Sequence, residues 1–458
     1  MWVPDISQIE GPRYLALSRA ISEAIDSGAL GPGAQLPPQR DLAKELNITV
    51  GTVGRAYKIV RERRLVSSEV GRGTFVRGAD EESYSSFLPY LKPGTIDLAL
   101  FGANPVGLTQ ALSSALVEVS NCISLMPMNR YPIAKGYPSH CTAGATWIGL
   151  SGYEPPSSRV IVCSGIQQGL MAVILAFNEN PGEEILCERV TYSGLKALSV
   201  VLDRRLKGID IDEYGLVPSA VEDAIVNGGS KLLYVQPTVQ NPTGASMPLE
   251  RRQEIADIAI RHDVMIIEDD ASVGGLRDRP VPIAKLAPDN VVYLTGLSKC
   301  ISPALRAGFL SSPSQHHDRI VNTIHAMALA NSPIIGEVAA TLINSGTAEA
   351  LATQHYDALR KAHAVAEEIL GDVPHLSHPL ANFIWIELPE HWTSREFVDA
   401  ALKEGVSVIP SENHTACGLP PRAFRLAINP AQKPEAFEEG VHKLKALMKE
   451  RARPLLAM

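Results

Sequence analysis

Apolar positions in the first eighty residues recur at a helical period and then give way to short runs. Leu15, Leu17, Ala20, Ile21, Ala24 and Ile25 predict a helix over residues 12–27, stopped by Gly28. The Pro/Gly-rich stretch 31–38 reads as a turn. A short helix follows at 41–46. A second one over 50–63 is capped by Thr49 and has Val53, Ala56, Tyr57 and Val60 on its inner face. Only Asn47 and Ile48 separate these two, the short connection of a helix-turn-helix. Leu65-Val66 and Thr74-Phe75-Val76 read as strands joined through Gly71-Arg72-Gly73, a glycine-tipped wing.

Residues 79–94 are polar and lack apolar periodicity, which predicts a linker between a domain at 1–78 and another at 95–458. In the second domain, nearly pure apolar runs at 159–163, 184–187, 232–235, 264–267 and 291–294 alternate with helix-length segments. This is the pattern of parallel strands buried on both faces in an α/β fold, with a smaller C-terminal α+β lobe from about residue 330. No apolar run reaches the roughly 18 residues that a membrane helix needs, and the first residues lack the basic and apolar regions of a signal peptide. Six scattered cysteines without a C-x-x-C pair predict reduced thiols in a cytoplasmic protein.

Charge separates the two parts. The net charge of −8 divides into eleven basic and eight acidic residues in 1–78, against 31 and 42 in the remainder. A basic head on an acidic body fits double-stranded DNA as a partner for the head alone. The second helix of the pair would enter the major groove with Thr49, Thr52 and Arg55, and Arg40 can reach a phosphate or a guanine edge. Gly71 and Gly73 allow close backbone approach to the sugar-phosphate surface, with Arg72 between them supplying charge.

Ligands in open α/β sheets bind beyond the carboxyl ends of the strands, so the polar residues after each apolar run are the candidates for chemistry. Ser164-Gly165-Ile166-Gln167 opens a helix whose free N–H groups suit a phosphate. Tyr192 can stack on a flat ring, Asn241 lies in the turn Gln240-Asn241-Pro242-Thr243-Gly244, and Glu268-Asp269-Asp270 carries carboxylates able to pair with a ring nitrogen. Ser298-Lys299 follows the fifth run, with Arg306 seven residues on. Each feature is commonplace alone. Five of them in this order, each just past a strand, are not.

The strings G-x-G-x-x-L-P-P-x-R-x-L-A-x-x-L, T-V-x-x-A-Y and G-x-G-T-F-V closely resemble the GntR-family winged helix over roughly residues 13–77. N-P-T-G and S-K-x-x-x-P-x-L-R-x-G make residues 95–450 resemble the fold-type I pyridoxal-phosphate enzymes of the aspartate aminotransferase superfamily. The second resemblance implies pyridoxal 5'-phosphate as cofactor, bound to Lys299 as a Schiff base. By it, Asp269 pairs with the ring nitrogen, Asn241 with the ring's 3-oxygen, and Tyr192 covers the ring face. Ile166 and Gln167 amides, Ser298 and Arg306 hold the phosphate, and Arg425 in Phe424-Arg425-Leu426 takes a substrate carboxylate. Tyr131, in Y-x-x-x-x-G-Y, matches a tyrosine lent to the neighbouring subunit's phosphate, which implies a homodimer.

The chain departs from that pattern twice. Relatives carry a tyrosine two or three residues after the aspartate, where this chain has Ala271 and Ser272, so one donor to the 3-oxygen is missing. Many place Ser or Thr three residues before the lysine, where this chain has Gly296 beside Thr295. These departures predict weak or partial transamination at most. The two resemblances together are those of the MocR/GabR-type transcriptional regulators, in which the body would sense an amino compound, or pyridoxal phosphate itself, by Schiff-base exchange at Lys299. The alternative is an active aminotransferase acting on an amino acid, with Lys299 as the base.

Overall fold

The architecture comes from a computed structural model that describes residues 2–6, 11–26, 29–31, 33–62, 65–69, 73–76, 94–103, 105–122, 129–271, 279–430 and 433–450. The chain forms two compact units, an N-terminal head and a larger body that begins just past residue 92. Among the described residues no helix is long and apolar enough to cross a membrane.

The head has three helices, α1 (Arg13–Asp26), α2 (Gln39–Glu45) and α3 (Val50–Glu62), and three short strands, β1 (Gln35–Leu36), β2 (Val66–Glu69) and β3 (Gly73–Val76). Of the apolar stripe anticipated for α1, Leu17, Ala20, Ile21 and Ala24 are buried and Leu15 and Ile25 half-buried, with Leu17 and Ile21 packed against Leu42, Val53, Ala56 and Val60. Thr49 caps α3, its Oγ1 accepting the Thr52 N–H at 3.1 Å. Asn47 makes the tight bend between α2 and α3 with φ of 51°, a left-handed conformation that asparagine tolerates better than most residues. Tyr57 ties α3 to the chain before α2, its buried hydroxyl donating to the Pro37 carbonyl at 2.7 Å.

The stretch 31–38 is more than a turn. Gln35 and Leu36 pair antiparallel with Phe75 and Thr74, so β1 completes a three-stranded sheet in the order β1-β3-β2. Two residues are too few to show an alternating pattern among the glycines and prolines of this segment. The wing tip residues Gly71 and Arg72 lie outside the described residues, whereas Gly73 opens β3.

The body centres on a seven-stranded sheet in the order Val160–Cys163, Gly308–Ser311, Val291–Gly296, Met265–Asp269, Leu232–Val235, Glu184–Glu188, Arg205–Ile209. Every pairing is parallel except those of Gly308–Ser311, which runs antiparallel to both its neighbours. Five of the strands are the apolar runs of the sequence. The remaining two escape that pattern. Arg205–Ile209 is an edge strand carrying Arg205 and Lys207, and Gly308–Ser311 is four residues long and trails directly from Arg306. One face of the sheet packs on helices Ile166–Phe177, Ser193–Val201 and His317–Ala328. The other meets Pro138–Gly149, Pro218–Gly228, Leu249–His262 and Pro333–Asn344, with Trp147 fully buried among them.

A four-stranded antiparallel sheet in the order His375–Ser377, Phe383–Glu387, Ala423–Ala427, Ile409–Pro410 forms the smaller lobe, beside helices Thr347–Leu370, Ser394–Lys403 and Pro434–Lys449. Strand Ile96–Asp97, at the start of the body, pairs parallel with Val406–Ser407 of this lobe. The chain therefore enters the body through the lobe that carries Arg425, and that residue faces Trp385 across the register.

Candidate functional site

The carboxyl ends of the central strands open onto a cavity, the place where ligands bind in open α/β sheets. Ile166, Gln167, Tyr192, Asn241, Asp269, Ser298, Lys299 and Arg306 all line it, so residues spread over 140 positions of sequence converge. Arg425 sits against the same wall, its Nη1 donating to Asn241 Oδ1 at 3.3 Å.

Asp269 ends the strand Met265–Asp269 and is nearly inaccessible. Its Oδ2 accepts from the Tyr234 hydroxyl at 2.6 Å and from Gln236 Nε2 at 3.2 Å, while Oδ1 is buried with no partner. A buried carboxylate oxygen left without a donor is costly unless something arrives to satisfy it. Burial lifts the Asp269 carboxyl to about 6 despite the Tyr234 hydrogen bond and the nearby Lys299 charge. A protonated ring nitrogen would supply the missing donor.

Gln236 organises this end of the sheet. Its main-chain N–H donates to Glu188 Oε1 at 2.7 Å, its side-chain amide to Asp269, and its Oε1 accepts the Asn241 N–H at 3.2 Å. Between Gln236 and Asn241 the chain passes through Val239 at φ of 52°, a strained conformation for a β-branched residue and one that tends to occur at functional sites. Gln240 then locks the N-P-T-G turn, its Oε1 accepting the Thr243 hydroxyl at 2.7 Å and its Nε2 donating to the Val190 carbonyl at 2.7 Å. Asn241 keeps its own amide N–H groups for the cavity, because its oxygen is taken by Arg425.

Lys299 Nζ stands 4.0 Å from the centre of the Phe101 ring. Burial, and then the positive charges of Arg425 and Arg306, pull its amine down to about 7, against the opposing pull of Asp269. An amine neutral near pH 7 is a nucleophile, which an ordinary lysine is not. Arg425 lies 4.9 Å from the same ring and is 6% exposed, its Nη2 donating to the Ala99 carbonyl at 2.9 Å. Its Nε is buried without a partner, and burial lowers the guanidinium to about 10, still charged at neutral pH. A planar cation with an unused N–H beside an apolar wall is suited to a carboxylate.

The phosphate end has its own construction. Helix Ile166–Phe177 begins after Gly165 at φ of 82°, and a side chain at Gly165 would press its Cβ to 2.9 Å from the Arg306 guanidinium. The first amides of the helix have no intrahelical carbonyl to meet and carry the positive end of its dipole. Arg306 is held in the left-handed region at φ of 48° after the short turn Pro303–Leu305. Gly296 cannot carry a larger residue here without strain, since a Cβ would lie 3.0 Å from the Ala307 carbonyl. Its neighbour Thr295 is fully buried with an unpartnered hydroxyl and does not line the cavity. Tyr192 is braced by Gln167, whose Oε1 accepts the phenol at 3.0 Å while its Nε2 donates to the Gly194 carbonyl at 2.9 Å. Tyr131 is 78% exposed and lies away from the cavity lining.

Phe101, Gln236, Thr238, Asn382 and Phe383 also line the cavity and were not singled out in the sequence. Asn382 is held by its amide against His355 Nε2 at 3.0 Å. In the head, Arg40, Thr49 and Arg55 are exposed and Thr52 is half-buried, with Thr49 and Thr52 joined hydroxyl to hydroxyl at 2.8 Å. These four residues fall on α2, the turn after it and the first half of α3.

The chain belongs to the aminotransferase class I and II family, whose sequence profile matches residues 102–444. Residues 13–76 match the gntR family of bacterial regulatory proteins, and the two together make the MocR-type architecture. The HTH-type transcriptional regulator YdeF of Bacillus subtilis is 29% identical over 98% of this chain and 96% of its own length. The 2-aminoadipate transaminase of Thermus thermophilus is 26% identical over 70% of this chain and 81% of its own. Among solved structures, an archaeal alanine:glyoxylate aminotransferase superposes with a TM-score of 0.70 at 22% identity, covering 78% of this chain and 91% of that one. LysN, an α-aminoadipate aminotransferase of Thermus thermophilus, gives 0.69 at 23% identity over 78% and 92%. The body therefore has the fold-type I aminotransferase fold. Its cofactor is pyridoxal phosphate, for which the unsatisfied Asp269 oxygen, the near-neutral Lys299 and the helix start at Ile166 are a fitting set.

Proposed function

We propose that this chain is a DNA-binding transcriptional regulator whose body holds pyridoxal phosphate through Lys299 and detects an amino compound by exchange of amines at that residue. The observation that carries the reading is the placement of Lys299 and Arg425 against one ring, Phe101, the amine 4.0 Å and the guanidinium 4.9 Å from its centre. When bound, pyridoxal phosphate supplies an aldehyde carbon that condenses reversibly with amines. Lys299, whose amine is pulled down to about 7, would hold the cofactor through that carbon and would be the group an incoming amine displaces. Arg425 clamps a carboxylate on the incoming molecule. Asp269 holds the ring nitrogen's proton at Oδ1, Asn241 donates to the 3-oxygen, and Tyr192 covers the ring. Ile166 and Gln167 amides, Ser298 and Arg306 hold the phosphate, and Tyr131 reaches the phosphate of a second copy in a homodimer.

Release of Lys299 and engagement of Arg425 are contacts that differ between free and occupied states, which is what a ligand needs to shift a conformational equilibrium. The head would read promoter DNA with Arg40, Thr49, Thr52 and Arg55 and with the wing residues 71–73. Its site of action is then the cytoplasm. The gntR match and the regulator relatives favour this reading over that of an enzyme, while the transaminase relatives lend the second reading some support. The test is a screen of amines and amino acids against the visible absorbance of the purified protein. A yellow protein whose band moves with one class of amine, and whose promoter binding moves with it, is expected. A colourless preparation that ignores added pyridoxal phosphate refutes the cofactor reading, and multiple-turnover keto-acid production refutes the sensor reading in favour of the aminotransferase.

A further inference from the structure

The tyrosine missing after Asp269 leaves the 3-oxygen of the cofactor one donor short, and Ala271, at one of the two positions in question, lines the cavity as a bare methyl group. Thr238 lines the same cavity from the bend between Leu232–Val235 and Asn241, and is 4% exposed. A hydroxyl has two lone pairs and a single proton. Thr238 Oγ1 accepts from Arg252 Nη2 at 2.9 Å and from Arg279 Nη2 at 3.1 Å, so both lone pairs are in use. Its proton must leave along the one remaining direction, and among the described residues no acceptor meets it. Most threonine hydroxyls can rotate between donating and accepting. This one can only donate.

The two arginines are fixed in turn. Arg252, fully buried, donates to the carbonyls of Met247 and Pro237, each at 2.9 Å, and of Pro280 at 3.2 Å. Arg279 forms a buried ion pair with Asp270, which also accepts the Tyr293 hydroxyl at 2.7 Å. Asp270 and Glu268 face the same two guanidiniums, whose N–H bonds into the Thr238 oxygen draw electron density from its O–H and make it a stronger donor toward an anionic oxygen. Of the cofactor's polar atoms, the ring nitrogen falls to Asp269 and the phosphate to the helix start and Arg306. The oxygen left is the one Asn241 serves, three residues from Thr238.

We infer that Thr238, polarised by Arg252 and Arg279, donates the second hydrogen bond to the cofactor's 3-oxygen in place of the absent phenol. The inference rests on the cofactor reading above. A donor on that oxygen lowers its basicity and weakens its hold on the proton shared with the Lys299 linkage, so the linkage loses its proton at lower pH.

The test is a pH titration of the visible band of the full-length holoprotein, without any amine substrate, for the parent, T238A and T238S. T238A removes the donor and leaves room for a water to meet the two guanidiniums. T238S keeps the hydroxyl. The expected result is a titration midpoint about one pH unit higher in T238A, a tenfold change in proton affinity, with T238S close to the parent. Arg279→Lys, which loosens one of the two bonds that orient the hydroxyl, should move the midpoint a smaller distance the same way and serves where T238A does not fold. An unmoved midpoint in T238A or in Arg279→Lys, or an equal shift in T238S, overturns the inference and leaves the cofactor reading standing. A parent protein without a visible band overturns both.

Discussion

In the head, Arg40, Thr49 and Arg55 are exposed and Thr52 half-buried, on or beside helices whose opposite faces form a small apolar core, and Thr49 and Thr52 are tied to each other. In the body, Asp269 and Asn241 are buried, Ile166, Gln167, Tyr192, Ser298 and Lys299 are half-buried around the cavity, and Arg306 is exposed. Asp269, Asn241, Arg425 and Tyr192 each take part in a hydrogen bond to another group around the cavity, and Asp269 and Arg425 each keep one buried polar atom unsatisfied. Apart from Thr49, which also caps α3, changes at the head's ligand surface should alter binding without altering the fold. The body stores desolvated charge in its cavity, so its ionisations are displaced from ordinary values and change when a ligand arrives.

The largest expected effect falls on the body. Lys299→Ala should abolish the covalently held chromophore and its trapping by borohydride, with promoter binding by the head retained. Loss of both together would break the contrast. The same lysine gives a pH test. In the cofactor-free protein the neutral amine is the reacting form, and it is pulled down to about 7. The rate of capture of added pyridoxal phosphate should therefore rise about tenfold per unit up to that pH and level off above it, whereas an unperturbed lysine would keep rising toward its ordinary value.

Arg425→Ala comes next. A charge-assisted pair contributes roughly 1.5–3 kcal/mol, so amino acids should need about 10- to 100-fold more ligand to move the visible band, while amines without a carboxylate respond as before. Equal weakening of both classes would show that Arg425 supports the wall rather than the ligand. In the head, Arg55→Ala should cost about 1–3 kcal/mol of specific DNA affinity, read by titration against promoter DNA, with the chromophore unchanged. The smallest effect is Thr49→Ala, which removes the cap on α3 and should destabilise the head by about 1 kcal/mol, seen as a lower melting temperature for its transition alone.

Much of the framework was legible because burial on both faces of a parallel sheet leaves pure apolar runs, and five of the seven strands carry them. Arg205–Ile209 was hidden by its charged edge positions, and Gln35–Leu36 by the glycines and prolines around it. The cavity residues that could be read were those lying just past a strand in a spaced motif. Phe101 and Asn382 belong to no such motif and reach the cavity only because the smaller lobe folds back with its sheet and with strand Ile96–Asp97. Gln236 was passed over for a different reason. Its importance lies in three bonds to partners at 188, 241 and 269, and no local pattern announces them.

Those three bonds also bear on how this site tolerates change. Because one amide aligns the carboxylate for the ring nitrogen, the turn that presents Asn241 and the buried Glu188 beneath them, the three cannot drift separately under substitution. Gln236→Glu would lose the donor to Asp269 and place a second carboxyl beside it, so any path to a different amide arrangement has to pass through a cavity with its ring-facing groups out of line. Phe101 and Phe383, packed with ring centres 6.2 Å apart, stand outside those three bonds, and that is where a lineage could change its ligand while keeping its cofactor.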